Sequence, residues 1–177
     1  MPNAGYLSGS IFYWNIFMKL SGQRNFKASH TEIWDLLMDP NVLARIAPGI
    51  DSLEPIGEDR YKASVRIKMG PVNGTFEGSL DIKNKVPLKH FTLSAIQKSK
   101  IGQVTAQALI ELIPEDSGDT AIRFDGKADL TGFLARIGLR LLTGVANSLT
   151  QQFFDALEKE GKIEQELEAL KSKLEKK

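Results

Sequence analysis

From Arg60 to Met69 apolar and polar side chains alternate, with Tyr61, Ala63, Val65, Ile67 and Met69 on one face and Lys62, Ser64, Arg66 and Lys68 on the other. A period of two is that of a strand, and one dry face with one wet face is that of an antiparallel sheet covered on one side. The alternation returns in the run from Lys68 to Lys83, in HFTLSAIQ from His90, in QVTAQALIELI after Gly102, and in TAIRFDGKADL from Thr120. Gly70-Pro71 and Pro87 punctuate these runs, and an earlier strand is expected from Met18 to Ala28. No helical unit separates the later strands, so they predict an antiparallel meander.

Helical signals flank the strands. Ser29-His30-Thr31-Glu32 has the form of a capping box and starts a helix carrying Ile33, Trp34, Leu36 and Leu37. Asp39-Pro40 ends it and opens a short second helix from Asn41 to Ile46, which Pro48-Gly49 stops. After Gly132 the period changes to about 3.6 residues. Leu130, Leu134, Ile137, Leu141, Val145, Leu149 and Phe153 predict one long amphipathic helix to about Glu158. The tail from Gly161 to Lys177 repeats Ile163, Leu167, Leu170 and Leu174 among Glu and Lys, a helical seam of under two heptads, too short to establish a coiled coil by itself.

Met1 to Phe17 has no positively charged start, an apolar run broken by Asn15 and no clear small-residue cleavage site. It is a poor signal peptide and too short to span a bilayer. Met18 is the expected natural start, with IFYWNIF as an extra strand or a partner-binding segment in the alternative. The expected organisation is an extension over residues 1–17, one domain over 18–160 and a charged helical tail over 161–177.

At 177 residues, 42% hydrophobic and with a formal charge of +1, the chain suits a single domain with a real core. The charge balance argues against a nucleic-acid footprint. The absence of cysteine removes disulfides, thiolate nucleophiles and sulfur-ligated metals.

The face shared by Val72, Phe76, Leu80 and Ile82 also contains Gly74 and Gly78, and later inner faces contain Ala106, Ala108, Gly126 and Ala128. The concave side of the sheet is therefore short of volume. Glycine in a strand can simply mark a bend, or the bend can enclose a cavity. At about 24 cal/mol per Å³ an empty pocket of about 300 Å³ would cost roughly 7 kcal/mol, so a lasting hollow is small or occupied. Alternation selects Val65, Ile67, Phe76, Leu93 and Phe124 from the sheet and Leu134, Ile137, Leu141 and Val145 from the helix as its lining; the alternative for each is ordinary core. Gly74, Gly78, Gly126 and Gly138 would shape it. Pro48, Gly49, Phe133, Arg136 and Arg140 would form its entrance or a membrane or partner contact.

The inner faces of the clearest strands contain no ionisable side chain, as an acid or base would require. His30 falls in a first helical turn and His90 at a strand start, a pair that makes no metal site. Asp125, Lys127 and Asp129 alternate outward. Gly70, Gly74 and Gly78 precede no helix and form no phosphate loop. Arg136 and Arg140, four apart, read as a solvated face or as a lipid-headgroup contact. These residues call for no catalytic group, metal or cofactor.

The run MKLSG…LMDPNVLARIAPGIDSLEPIGEDRYKASVRIKMGPVNGTFEGSLDI, followed by ARIGLRLLTGVANSLTQQFFDAL, resembles the carbon monoxide dehydrogenase G-subunit family of the START-like (polyketide cyclase/Bet v 1-like, SRPBCC) superfamily. The likeness covers about Met18 to Leu157. It implies an α+β helix-grip fold, a curved antiparallel sheet of about seven strands wrapped around a long C-terminal helix with an apolar cavity between. The residue pattern leads to the same architecture. The resemblance further implies an accessory of a membrane-associated molybdenum hydroxylase that binds lipid or quinone, placed in the cytoplasm or peripherally on the cytoplasmic face of the membrane. The charged C-terminus departs from the hydrophobic extension that membrane-anchored members can carry, and no residue names a carbon monoxide dehydrogenase as partner. The expected function is non-catalytic binding of an apolar ligand. The alternatives are an enzyme of the cyclase or hydrolase type and a pure docking module.

Overall fold

The computed structural model describes residues 15–176, and its strands follow the period-two runs. They are β1 (Asn15–Phe26), β2 (Ile50–Gly57), β3 (Arg60–Met69), β4 (Val72–Val86), β5 (His90–Ser99), β6 (Gly102–Pro114) and β7 (Thr120–Thr131). Together they make one seven-stranded sheet in the order β1-β7-β6-β5-β4-β3-β2. Every pairing is antiparallel, so β2 to β7 form the expected meander and β1 closes beside β7. The expectations for residues 1–14 lie outside the described residues. Asn15, Ile16 and Phe17 belong to β1, where Ile16 pairs with Leu130.

Strand β2 has no counterpart among the alternating runs. It is an edge strand, interrupted by register shifts between Ile50 and Ser52 and between Pro55 and Gly57, and Pro55 fits only where a backbone donor is dispensable. Two helices cross from the β1 edge to the β2 edge: α1 (His30–Met38) and α2 (Pro40–Ile46). Ser29 caps α1 by accepting from Glu32 N at 3.2 Å, and Asp39 caps α2 by accepting from Asn41 N at 2.9 Å. Proline occupies the first turn of α2, where its missing N–H costs nothing.

The C-terminal helix differs from the expectation at both ends. Leu130 completes β7 instead of starting a helix, and α3 (Phe133–Ile137) is separated from α4 (Leu139–Glu175) at Gly138. Gly138 has φ +101°, a conformation that breaks a helix and is readily adopted only without a Cβ. Beyond Glu158, α4 continues through Gly161 for a total of 37 residues. A single glycine costs a helix only about 1 kcal/mol, and tertiary contacts offset it here. Gly161 lies over Leu36, while Gln165 Nε2 donates to Lys27 O and to a Glu32 carboxylate oxygen, each at 3.2 Å.

The core is divided. Phe26, Ile33, Trp34, Leu37, Phe91, Ile122, Phe154 and Leu157 form a cluster under α1, α2 and the middle of α4. Edge-to-face contacts join Phe26 to Phe154 and Trp34 to Phe91, with ring centroids 5.7 and 5.9 Å apart. Ile67, Val72, Phe76, Leu130, Leu134 and Leu142 form a second cluster under α3 and the start of α4.

The two glycines of β4 play different parts. A Cβ on Gly78 would stand 1.8 Å from the carbonyl oxygen of Ile96, whereas one on Gly74 would meet only the Ile101 side chain at 3.8 Å. Gly78 permits a close approach of the β4 and β5 backbones, and no larger residue fits there with the fold intact. Gly78→Ala is therefore expected to lower stability by ~3 kcal/mol or more, while Gly74→Ala stays within ~1 kcal/mol of the parent. Urea unfolding of the two variants checks this, and equal midpoints would refute the assignment.

Candidate functional site

Between the two clusters the inner face of the sheet carries small residues in register. Gly126 pairs with Ala108 on one side and with Leu20 on the other, Ala95 pairs with Ala106 and Leu80, and Ala63 pairs with Gly78. A cavity of about 430 Å³ lies over this floor. Leu37 of α1, Leu43 of α2, Ala47 and Pro48 of the following loop, and Leu149, Thr150, Phe153 and Phe154 of α4 roof it. Phe124 and Phe154 stand with ring centroids 5.5 Å apart, and a Cβ on Gly22 would lie 2.7 Å from the Phe124 ring. The strand opposite must therefore lack a side chain for Phe124 to take its place. Filled by nothing, a sealed void of this size would cost ~10 kcal/mol, comparable to the whole stability of a domain.

The wall is apolar but for Gln97 and Thr150. Gln97 Nε2 donates to Ser79 O at 3.1 Å, and its buried Oε1 meets no protein donor. Thr150 donates its hydroxyl to Ala146 O at 2.8 Å. Among the described residues no Asp, Glu, Lys, Arg or His lines the cavity. His30 opens α1, and His90 opens β5 with a buried Nδ1 that has no partner. Asp125 and Lys127 line a shallow depression on the opposite face of the sheet with Lys19. Among the described residues no three potential metal-binding side chains converge.

Helix α4 is held over the sheet by ions at its flank. Arg24 of β1 reaches Asp155 and Glu158, each at 2.7 Å. Partial burial works to lower the guanidinium pKa, but the hydrogen bonds and charges of Asp155 and Glu158 outweigh it and hold it above its ordinary value. Arg45 of α2 pairs with Glu160, and its pKa is raised chiefly by that hydrogen bond.

Of the residues expected to line a cavity, Val65, Leu93 and Phe124 are in its wall, together with Gly126 and Pro48. Ile67, Phe76 and Leu134 instead fill the second core cluster, with Ile137 and Val145 packed against it. Leu141 is 55% exposed. The physical reason is the break at Gly138, which resets the helical register: α4 turns Leu142 inward and reaches the cavity only from Leu149 on. Gly74 sits beside Ile101 and Gly78 against the β5 backbone, so neither opens the cavity. Gly138 faces open space, and Gly49 is clamped to β3, with its carbonyl accepting from Arg66 N at 2.7 Å. Phe133, Arg136 and Arg140 are exposed.

Sequence reasoning missed the roof from α1 and α2, which no local periodicity assigns to a cavity. It also missed Gln97, although Gln97 shares its strand parity with Phe91, Leu93 and Ala95 and was detectable as a polar residue on a dry face.

The family model for CoxG, described as the G-subunit of carbon monoxide dehydrogenase, matches residues 22–161. A conserved protein from Geobacillus kaustophilus is 33% identical over 81% of this chain and 95% of its own, with a TM-score of 0.79. A START superfamily protein from Mycobacterium smegmatis is 14% identical, covering 83% of this chain and 97% of its own, with a TM-score of 0.65. An aromatase/cyclase from Streptomyces sp. R1128 is 13% identical, covering 83% and 94%, with a TM-score of 0.63. The last two likenesses are likenesses of fold alone. No curated protein matches the chain.

A hollow and a packed core answer differently to added methylenes. Ala108→Leu projects into the cavity and is expected to change stability by less than ~1 kcal/mol, whereas Ala121→Leu, at a fully buried position, should cost ~2 kcal/mol or more. Thermal unfolding of the pair discriminates, and a large loss from Ala108→Leu would mean that the cavity is closed in solution.

Proposed function

The chain belongs to the CoxG family, that of the carbon monoxide dehydrogenase G-subunit, and has its START-like helix-grip fold, and from that footing we propose that it is a non-catalytic protein that holds an apolar ligand, a lipid or a quinone. It serves as accessory to a carbon monoxide dehydrogenase-type molybdenum hydroxylase. The observation that carries this reading is the cavity itself, about 430 Å³ in volume, walled by aliphatic and aromatic side chains and free of ionisable groups among the described residues. Acid-base catalysis needs a titratable group within hydrogen-bond reach of the substrate. Retention of an apolar molecule needs only burial, worth about 25 cal/mol per Å² of surface removed from water. The partner is inferred from the family alone.

A lipid-soluble cargo must be collected from a membrane. Among the described residues no helix is long and apolar enough to cross one. In this reading the contact is peripheral, at the cytoplasmic face. The α3–α4 corner suits it: Phe133, Leu139 and Leu141 are each at least half exposed, beside the exposed Arg136 and Arg140. Apolar side chains flanked by arginines match an anionic headgroup layer. The loop at Ala47 and Pro48, which contributes to the cavity wall, is the proposed passage for the ligand.

Organic extraction of the protein from its native host, followed by mass spectrometry, should yield a lipid or quinone near one equivalent. An empty protein that also takes up neither when offered would overturn the binding reading. Cosedimentation with vesicles containing phosphatidylglycerol tests the corner. Arg136→Glu with Arg140→Glu should reduce the bound fraction severalfold, and the parent should lose binding as salt is raised; an unchanged bound fraction in the variant would remove the corner from the proposal.

A further inference from the structure

The last four turns of α4 carry an apolar stripe that the domain does not use. Ile163, Leu167, Leu170 and Leu174 follow one another at spacings of four, three and four, and their exposures are 47, 51, 56 and 72%. Glu160, one heptad before Leu167, is held by Arg45 of α2, but from Gly161 on the helix turns its opposite side to the domain. Glu158 meets Arg24, Gly161 lies over Leu36, and Gln165 bonds Lys27 and Glu32. At 100° per residue the stripe points away from those contacts, into solvent.

The charges beside the stripe are segregated. With Ile163 and Leu170 at d and Leu167 and Leu174 at a, the flanking e and g positions are Glu164 and Glu166 in the first heptad and Lys171 and Lys173 in the second. Against a second copy running antiparallel, Ile163 meets Leu174 and Leu167 meets Leu170. Glu164 then stands beside Lys171 of the partner subunit, and Glu166 beside Lys173 of the partner subunit. The stripe is thus complementary to itself in apolar register and in charge, which is the condition for an isologous two-fold contact.

We infer that this segment pairs with the same segment of a second copy, making the protein a dimer through an antiparallel helix pair. A seam of under two heptads is marginal as a free peptide, because a short helix must first be ordered. Here the helix is already formed as the continuation of a 37-residue element, and the cost of ordering it has been met by the domain. The dimer is accordingly weak and concentration-dependent, and it weakens further as salt screens the exposed charge pairs. It is independent of what the cavity holds.

Analytical ultracentrifugation of the full chain over a concentration series tests the inference. The parent should pass from monomer to dimer, whereas Leu167→Asp with Leu170→Asp should remain monomeric with an unchanged circular dichroism spectrum. Lys171→Glu with Lys173→Glu, and separately Glu164→Lys with Glu166→Lys, should each be monomeric alone and should dimerise when mixed. A parent that is monomeric throughout overturns the inference, as does a dimer that survives the aspartate pair. Failure of the two charge variants to recover each other would overturn the charge assignment.

Discussion

One helix has to cover the inner face of seven strands, and the rest of the structure follows from how far it reaches. Helix α4 is pinned beside β1 by Arg24, Asp155 and Glu158 and beside α2 by Arg45 and Glu160. Its middle packs Phe154 and Leu157 into one core cluster, and its first turns place Leu142 in another. Where the helix passes between them, the floor below includes the small residues Gly126, Ala108, Ala95 and Ala63 among larger wall residues such as Val65, Leu93 and Phe124, and the gap stays open. The cavity is the space left by a helix with large side chains at both ends of its path and small ones beneath its middle.

That arrangement also decides what the cavity can do. Polar strand residues such as Asp125 and Lys127 are on the convex side, so the concave side offers a ligand burial without charge. Close approaches of backbone hold the walls: Gly78 against Ile96, and Gly22 beneath Phe124. A cavity built on such contacts is firm, since enlarging it means moving strands rather than rotating side chains.

The two faces of α4 divide the labour. The domain-facing side ends its contacts at Gln165, and the helix then runs on to Glu175 with an apolar stripe exposed. Carrying four such residues in water is tolerable for a solitary monomer but is more simply accounted for by a partner. The exposed corner at Phe133 and Leu139 is a separate surface at the other end of α4, so the proposed membrane contact and the inferred self-association would use different residues.

Local chemistry made most of the fold legible. Alternation identified five of the seven strands, with a sixth expected from Met18, the capping box and Asp39-Pro40 set the two short helices, and the shift to a 3.6 period announced the long one. These features rest on neighbours within a few residues, so the sequence by itself determined them. It also determined that the concave face would lack volume. Tertiary structure decided the rest. β2 is a strand because β3 offers it an edge, since its own pattern of Pro55 and acidic residues signals none. Gly138 divides a helix that periodicity reads as continuous, while Gly161 is carried through by contacts with α1. Val65, Leu93 and Phe124 line the hollow while Ile67, Phe76 and Leu134 fill core. Parity along a strand says which face a side chain is on, but only the placement of the covering helix says whether anything stands opposite it.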